Sequence, residues 1–322
     1  MKDLKHLIYF ESLLENANNE LVQKAQAEGN LALGYTCYHV PEALLNVGNC
    51  FSVRLRAPHT GSIDIATYYM SNYTCEFARA LVERGIEGGY QFLDAMIGVD
   101  ACSMMNRAME HFEILKVNDK PNFFVTHCDI PYKITDYTLD SYVKQMRIHV
   151  LDKLTEVYGV DTSDAAIRQA VAEHNEVCSI ISEMAEMRKA ENPVITGYEF
   201  HVINLVSYTC PKALILPYLR ETLKELKKRK PDEKSPFRAR VAIVGSEIDD
   251  PQLTKLIEGC GALVVSDRYC FGSTPGREVI ELKDDEDALR QICLHVMEHS
   301  ECARYIADEK VLQRRETADR LA

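Results

Sequence analysis

Apolar positions along the first 130 residues alternate between short continuous runs and helical spacing. Helical spacing predicts helices over 71–85 and 103–112, and VPEALLNVG (40–48) has the length of a crossover helix. Four apolar runs flanked by turn residues predict buried β-strands: LALGYT (31–36), CFSVRL (50–55), LDAMIG (93–98) and NFFVTH (122–127). This alternation of strands and helices predicts a parallel, doubly wound sheet.

The alternation stops near residue 135. Three stretches with a 3.6-residue apolar period, 136–159, 164–192 and 210–230, predict about three long helices. The charged stretch KELKKRKPDEKSP (224–236) predicts a linker, and the pattern of 240–273 then predicts a strand, a glycine turn, a helix and a second strand.

We therefore expect an α/β protein in three parts. Residues 1–135 form an N-terminal α/β domain that carries the candidate ligand cysteines, 136–235 a helical segment and linker, and 236–322 the start of a second α/β domain that is cut short. A sheet of about two parallel strands is small and leaves an edge uncovered. We expect either that the chain is a fragment or that a partner completes this sheet.

Charge and hydropathy exclude several classes of function. The chain has 37 basic and 49 acidic residues, a net charge of −12, which argues against nucleic acid as a partner. No apolar run approaches the length of a membrane span, and the N-terminus lacks the apolar core of a signal peptide. We expect a cytoplasmic protein without a membrane partner. Because the cytosol keeps thiols reduced, its eleven cysteines pack in the core or bind metal.

Cysteine positions divide into two groups. Some lie where strands end and helices begin, where backbone N–H groups favour a thiolate: Cys37, Cys75, Cys102, Cys128 and Cys270. Others lie within or beside apolar helical faces and are expected in the core: Cys178, Cys210, Cys260 and Cys293. No CxxC spacing occurs, so a metal role for Cys75 and Cys102 rests on their positions alone, and packing stays the commoner role for any one thiol.

Seven segments, read together and in order, are similar to those of a known family. They are GYTCYHVPEALLNVGNCFSVRL, YTCEFARALVERG, GVDACSMMNR, HCDIPYK, AIRQAVAEHNE, VAIVGSEIDDPQLTKLIEGCGALVVSDRYCFGS and CARYIADEKVLQRRE. In order and spacing the chain resembles the 2-hydroxyacyl-CoA dehydratase and benzoyl-CoA reductase subunit family, which includes the double-cubane cluster proteins.

The resemblance implies flavodoxin- or Rossmann-like parallel-sheet domains joined by a helical segment. It implies an oxygen-sensitive iron–sulfur subunit of an anaerobic lyase, in which a [4Fe–4S] cluster on three cysteines passes one electron to a 2-hydroxyacyl-CoA. Through a ketyl radical, the substrate then loses water to give an enoyl-CoA. The expected partners are a related second subunit or a second copy in a homodimer, a separate ATP-dependent iron–sulfur activator protein and the acyl-CoA substrate.

Carried over by position, Cys75 and Cys102 match the first two cluster ligands of the family. The third ligand of family members normally lies beyond the end of this chain, and Cys270 occupies a familiar position without a clear ligand role. Cys37 resembles the double-cubane branch, which holds an [8Fe–9S] cluster with additional cysteines. The alternatives are therefore a double-cubane-type or benzoyl-CoA-type ATP-dependent reductase subunit, or a truncated, non-catalytic partner. No catalytic residue is assigned.

Overall fold

The computed structural model describes residues 3–58, 60–233, 236–273, 277–299 and 302. They form a mixed α/β structure with parallel sheets and many helices, which confirms the predicted fold class. Residues 234 and 235 of the predicted linker, and most of the chain beyond 299, lie outside the described residues. None of the described helices combines the length and the apolarity needed to cross a lipid bilayer.

The first sheet has four parallel strands, in the order β2-β1-β3-β4. The strands are β1 (Leu31–Tyr35), β2 (Cys50–Arg54), β3 (Ala95–Val99) and β4 (Phe124–Cys128). All four lie within two residues of the predicted runs. Strand β2 lies on one side of β1 and β3 on the other. The loops that follow β1 and β3 therefore diverge and leave a crevice between them. Open α/β sheets bind ligands in such a crevice.

The connection from β1 to β2 differs from the prediction. Instead of an α-helix it contains a single 3₁₀ turn, Glu42–Asn46. The Asn46 side chain donates to the Glu42 carbonyl at 2.8 Å and to the Ser52 hydroxyl at 3.1 Å, so it ties the turn to β2. Gly48 then takes φ 60°, a conformation that favours glycine and ends the turn.

Helices on the connections after β2 and β3 carry the predicted cysteines. A short helix, α3 (Asp64–Tyr69), precedes α4 (Glu76–Ile86), so α4 begins five residues later than predicted. Helix α5 (Ser103–Ile114) follows β3 as predicted and contacts α4. Both helices begin directly after a cysteine.

The predicted helical region contains more elements than expected. Its α-helices are α6 (Asp136–Met146), α7 (Asp152–Tyr158), α8 (Asp164–Glu186), α9 (Gly197–Thr209) and α10 (Lys212–Leu226), with a π-helical turn, Arg147–Leu151, between the first two. All thirteen residues of α9 are buried. A helix buried on every side has no polar face, and this is why the apolar pattern did not predict it. At the N-terminus, α1 (Leu7–Leu14) contacts α9, and α2 (Glu20–Ala27) contacts β1.

A second parallel sheet pairs β5 (Ala239–Val244) with β6 (Ala262–Arg268), connected by α11 (Gln252–Gly259). Helix α12 (Ala288–Glu298) follows. Most of the residues of β5 are exposed, including Val244 at 69%. Within the described residues this sheet has an uncovered edge strand, as the sequence predicts.

Alternate residues of the first sheet contact two different cores. One face, with Leu33 and Ile97, packs against α6, α8 and α12. The other face, with Val53 and Met96, packs against α2, α4 and α5. A third apolar cluster surrounds α9 and includes Tyr269 and Phe271 from the segment after β6. That segment therefore packs against the helical region and brings Cys270 towards the first sheet.

Candidate cysteine site

Five cysteine side chains line one pocket with a cavity volume of about 30 Å³. They are Cys37, Cys75, Cys102, Cys270 and Cys302. Cys37 follows β1 and Cys102 follows β3, so the pocket lies at the crevice between the two diverging loops. The structure thus brings all four sequence-predicted site residues together and adds Cys302, which the sequence did not single out.

Cys75 and Cys102 occupy equivalent places on neighbouring helices. Each is the N-cap residue, Cys75 of α4 and Cys102 of α5, and neither side chain makes a capping hydrogen bond. Both thiols are half-buried. The first N–H groups of a helix point towards a ligand bound at its N-terminus. The two sulfur atoms, which make no capping bond, are therefore available to such a ligand.

Cys37 and Cys270 are also half-buried and line the same pocket. Burial raises the pKa of the Cys37 thiol to about 12, and its sulfur lies 3.5 Å from Nδ1 of His39. Burial and the neighbouring Glu247 carboxylate raise the pKa of Cys270. Both thiols are therefore protonated at neutral pH in the protein alone, and a metal that binds them must displace protons.

The rest of the pocket lining is mostly apolar or small. Phe77, Ala78, Ala101 and two methionines contribute apolar surface, and Glu247 is the carboxylate among the described lining residues. Met104 is 39% exposed and lies at the rim. The lining excludes water without offering the oxygen-rich surroundings that Mg²⁺ or Ca²⁺ require.

The other cysteines lie away from this pocket. Cys128 is the last residue of β4, as predicted, but its side chain is fully buried in the core beneath α6. It therefore lies on the face of the sheet that α6 covers and does not line the pocket. Cys178, Cys210 and Cys293 are fully buried, as predicted. Cys260 is exposed, which corrects its predicted place in the core: it is the C-cap residue of α11, beyond the buried face of that helix.

The pocket is not a preformed site for a single metal ion. Within the described part of the chain, no group of three or more His, Cys, Asp or Glu side chains is arranged to hold one. A mononuclear site needs all its ligands at about 2.0–2.3 Å from one centre. An iron–sulfur cluster instead takes one thiolate at each of several irons, so its ligands are spread further apart.

A buried network of charges lies behind the first sheet. The Glu42 carboxylate accepts a hydrogen bond from Nζ of Lys212 at 2.5 Å, and Nη1 of Arg277 lies 3.6 Å from it. Burial alone raises the pKa of Glu42, but Lys212, Arg277 and His174 together lower it to about 2. Burial lowers the pKa of His174 to about 3, so this histidine is neutral. In the sequence, this network is indicated only by charged residues within the apolar stretches CYHVPEALL and CPKALIL.

Arg54, the last residue of β2, is also buried, at 1% exposure. Its guanidinium carbon lies 4.1 Å from the ring centre of Phe271 and 4.9 Å from that of Tyr208. Its Nε and Nη1 atoms have no hydrogen-bond partner in the described structure.

A roomier cavity, of about 470 Å³, lies at the amino-terminal ends of β1 and β2. Its lining mixes amides with carboxylates, such as Asn30, Gln169 and Glu173. Ligands of open α/β sheets bind at the opposite, carboxyl-terminal ends of the strands. The five-cysteine pocket, which lies there, is therefore the candidate functional site.

Comparison with known proteins identifies the family of the chain. The family model of the 2-hydroxyglutaryl-CoA dehydratase D-component matches residues 37–321. The (R)-phenyllactyl-CoA dehydratase beta subunit of Clostridium sporogenes is 19% identical over 259 residues, 80% of this chain and 67% of that protein. One of the subunits of the benzoyl-CoA reductase of Thauera aromatica is 20% identical over 74% of this chain and 61% of that protein.

A third relative, the beta subunit of the (R)-2-hydroxyglutaryl-CoA dehydratase of Acidaminococcus fermentans, is 21% identical over 64% of this chain and 54% of that protein. The chain thus matches about two thirds or less of the length of these relatives. The matched family model covers most of the chain, including all five pocket cysteines, and confirms the resemblance seen in the sequence. This protein belongs to the 2-hydroxyglutaryl-CoA dehydratase D-component family.

Proposed function

We propose that this chain is an iron–sulfur subunit of a 2-hydroxyacyl-CoA dehydratase and that its five-cysteine pocket binds a [4Fe–4S] cluster. The observation that carries the proposal is the convergence of five cysteines, distant in sequence, on one pocket. Free cysteines commonly pack one by one in cores. Five around one pocket indicate a ligand that binds sulfur.

The donor set fits such a cluster. Thiolates are the protein ligands that iron–sulfur clusters take, and the largely apolar lining supplies the water-poor surroundings that tune their potentials. The cavity of about 30 Å³ has room for only one or a few water molecules. Lining side chains must therefore move outward when a cluster binds, and flexible Met104 at the rim is suited to do so.

Cys75 and Cys102 are the proposed first two ligands, because both are helix N-caps whose thiols make no capping bond. The third ligand is drawn from Cys37, Cys270 and Cys302, which complete the pocket. Cys302 is a candidate for the third ligand within this chain, whereas the family resemblance implied a third ligand beyond its end. A bound cluster supplies single electrons to the thioester of a 2-hydroxyacyl-CoA, so that its β-proton can be removed and water lost.

A second candidate function is that of an ATP-dependent reductase subunit of the double-cubane or benzoyl-CoA type. The observation that favours it is the number of thiols: five line the pocket, whereas a site-differentiated [4Fe–4S] cluster uses three. Cys37, whose position resembles the double-cubane branch, is one of these five thiols. An [8Fe–9S] cluster would use the additional cysteines.

The proposed partners follow from the relatives. All three relatives are named as subunits of dehydratases or of a reductase, which supports a second subunit, related or identical, beside this chain. We further propose an ATP-dependent iron–sulfur activator as electron donor and an acyl-CoA as substrate. All eleven cysteines are free thiols, which supports a reducing, cytoplasmic location.

Iron binding tests the proposal. The chain is purified and reconstituted with iron and sulfide under anaerobic conditions, and iron, sulfide and the absorption spectrum are measured. We expect one cluster per chain in the wild-type protein and loss of most of the iron in Cys75→Ala and Cys102→Ala. Cys260→Ala is the matched control, because Cys260 is exposed and away from the pocket, and it should retain all the iron.

The same measurement separates the candidates. If the protein holds a [4Fe–4S] cluster, only one of the variants Cys37→Ser, Cys270→Ser and Cys302→Ser should lose iron, whereas an [8Fe–9S] cluster predicts loss of iron in more than one of them. A colourless wild-type protein that takes up no iron contradicts both functions and leaves a structural, non-catalytic role. Equal iron loss in Cys260→Ala and Cys75→Ala shows that binding is not specific to the pocket.

A further inference from the structure

Several cationic side chains are buried in the interior of the protein. Arg54, Lys212 and Arg277 are each no more than 2% exposed. The Glu42 carboxylate contacts Lys212 and Arg277, and Arg277 also donates to the Ser207 hydroxyl at 2.5 Å. Arg54 has no share in these contacts, and its Nε and Nη1 atoms lack partners within the described residues.

An unpaired charge is costly in this position. A buried ion loses its hydration, and the loss is recovered only by an opposite charge and by hydrogen bonds. The pKa of Arg54 lies above its ordinary value although burial alone would lower it, so the guanidinium remains charged. Stacking on Phe271 and Tyr208 provides cation–π attraction but no acceptor for the free N–H groups. The Glu247 carboxylate attracts the charge of Arg54, but within the described residues no atom accepts a hydrogen bond from its Nε or Nη1.

The position of Arg54 indicates which ligand its unpaired N–H groups would contact. In the sheet register Arg54 is paired with Tyr35, two residues before Cys37. Its guanidinium carbon lies 4.1 Å from the ring of Phe271, the residue directly after Cys270. Arg54 thus contacts the two segments that carry Cys37 and Cys270.

We propose that Arg54 is a positioning residue for the anionic iron–sulfur cluster: its charge compensates the cluster and its thiolates, and its free N–H groups donate to their sulfur atoms. This inference rests on the proposed function. Each added electron makes a cluster more negative, and a nearby cation stabilises the reduced form more than the oxidised form. Hydrogen bonds to sulfur act in the same direction. Arg54 therefore raises the reduction potential of the cluster.

Redox titration of the reconstituted full-length chain, followed by absorption and electron paramagnetic resonance, tests this role. Arg54→Met replaces the guanidinium by an unbranched apolar side chain. We expect its midpoint potential to become more negative by at least the equivalent of a tenfold change in the reduction equilibrium, about 59 mV for one electron. Arg54→Lys keeps the charge and loses the planar fork, so its shift should be smaller.

Arg56→Met is the matched control. Arg56 is also buried and lies two residues further on, but its Nε and Nη1 already donate to the carbonyls of Asp249 and Leu14. We expect it to leave the potential close to that of the wild type. An equal shift in Arg56→Met would overturn the inference, because it would indicate a general effect of removing charge.

The remaining outcomes are distinct. A folded Arg54→Met protein with full iron content and an unchanged potential contradicts the role of Arg54 and leaves the proposed function intact. Loss of iron with a native circular dichroism spectrum supports charge compensation. If Arg54→Met does not fold, Arg54→Gln, which also removes the charge, decides: an unchanged potential rejects the inference and a negative shift supports it. Wild-type protein without iron contradicts the proposed function itself, and the role of Arg54 with it.

Discussion

Glu42 keeps a negative charge at a depth where burial opposes ionisation. Lys212, Arg277 and His174 lower its pKa from 4.5 to about 2. Because the pKa of the folded state lies below that of the unfolded state, the ionised carboxylate stabilises the protein above about pH 4.5. This contribution falls as the pH drops from there towards 2. A difference of this size corresponds to roughly 3 kcal/mol.

Glu42→Gln should therefore lower the free energy of unfolding at pH 7 by about 3–5 kcal/mol, because it leaves Lys212 and Arg277 buried without their counterion. It should also flatten the dependence of stability on pH between 4.5 and 3. Urea denaturation at several pH values measures both effects. Glu176→Gln, which removes an exposed partner of Arg220, should change stability far less; similar losses in the two variants would contradict the role assigned to Glu42.

The sequence identified individual site residues only in part. Cys75 and Cys102 were predicted because a residue just before a helix in an α/β pattern faces the ligand-binding edge of the sheet, and both lie in the pocket. Cys302 and Arg54 were not predicted. Their positions depend on which segments meet in space, since Arg54 is the last residue of an ordinary apolar strand and Cys302 lies some two hundred residues from Cys102.

At the scale of elements, strands were easier to predict than the helices between them. Strands β1, β2 and β3 are almost wholly buried and form compact apolar runs, whereas β4 is half-buried over most of its length. Helix α9 is buried on all sides and lacks the amphipathic period, so its sequence does not distinguish it from a strand or a core segment. The 3₁₀ turn after β1 depends on the Asn46 contact with Ser52, which a periodic pattern does not contain.

Helix α9 also links the helical region to the second sheet through its first residue, Gly197. A Cβ atom at this glycine would lie 2.5 Å from the Val264 Cβ and from the Val264 carbonyl oxygen on β6. The Gly197 N–H donates to Glu258 at 2.8 Å, which fixes the close approach. Gly197→Ala should therefore force α9 and β6 apart and lower the free energy of unfolding by about 1–3 kcal/mol.

Thermal and urea unfolding measure this effect, with Gly259→Ala as the control. Gly259 ends α11 and a Cβ atom there would meet nothing within 4 Å, so this variant should be neutral or stabilising by up to about 1 kcal/mol. If Gly197→Ala is as stable as Gly259→Ala, the close packing of α9 on β6 is not maintained in solution.

At the scale of the whole molecule, the pocket joins segments that the sequence placed in separate domains. Cys37, Cys75 and Cys102 follow or precede elements of the first sheet, whereas Cys270 follows β6 and Cys302 lies near the chain end. Sequence reasoning predicted both sheets, but not that they share a site, because the contact is made through α9 and Phe271 rather than through adjacent segments.

A cluster bound in the pocket should therefore stabilise the two α/β units together. A ligand that binds only the native state adds free energy of unfolding, about 2.7 kcal/mol at a hundredfold excess over its Kd, and cysteine-bound metals couple strongly to folding. We expect reconstituted protein to unfold at a higher temperature than the iron-free protein, and a chelator or Cys75→Ala to remove the difference.

Hydrogen exchange shows which segments the cluster joins. On loading, amide protection should increase both at the start of α4 and α5 and in the segment after β6, because ligands from both sides bind one group. Protection confined to α4 and α5 would mean that Cys270 and Cys302 are not ligands and that the third thiolate is Cys37. Equal melting temperatures with and without iron would contradict a cluster site that joins the two sheets.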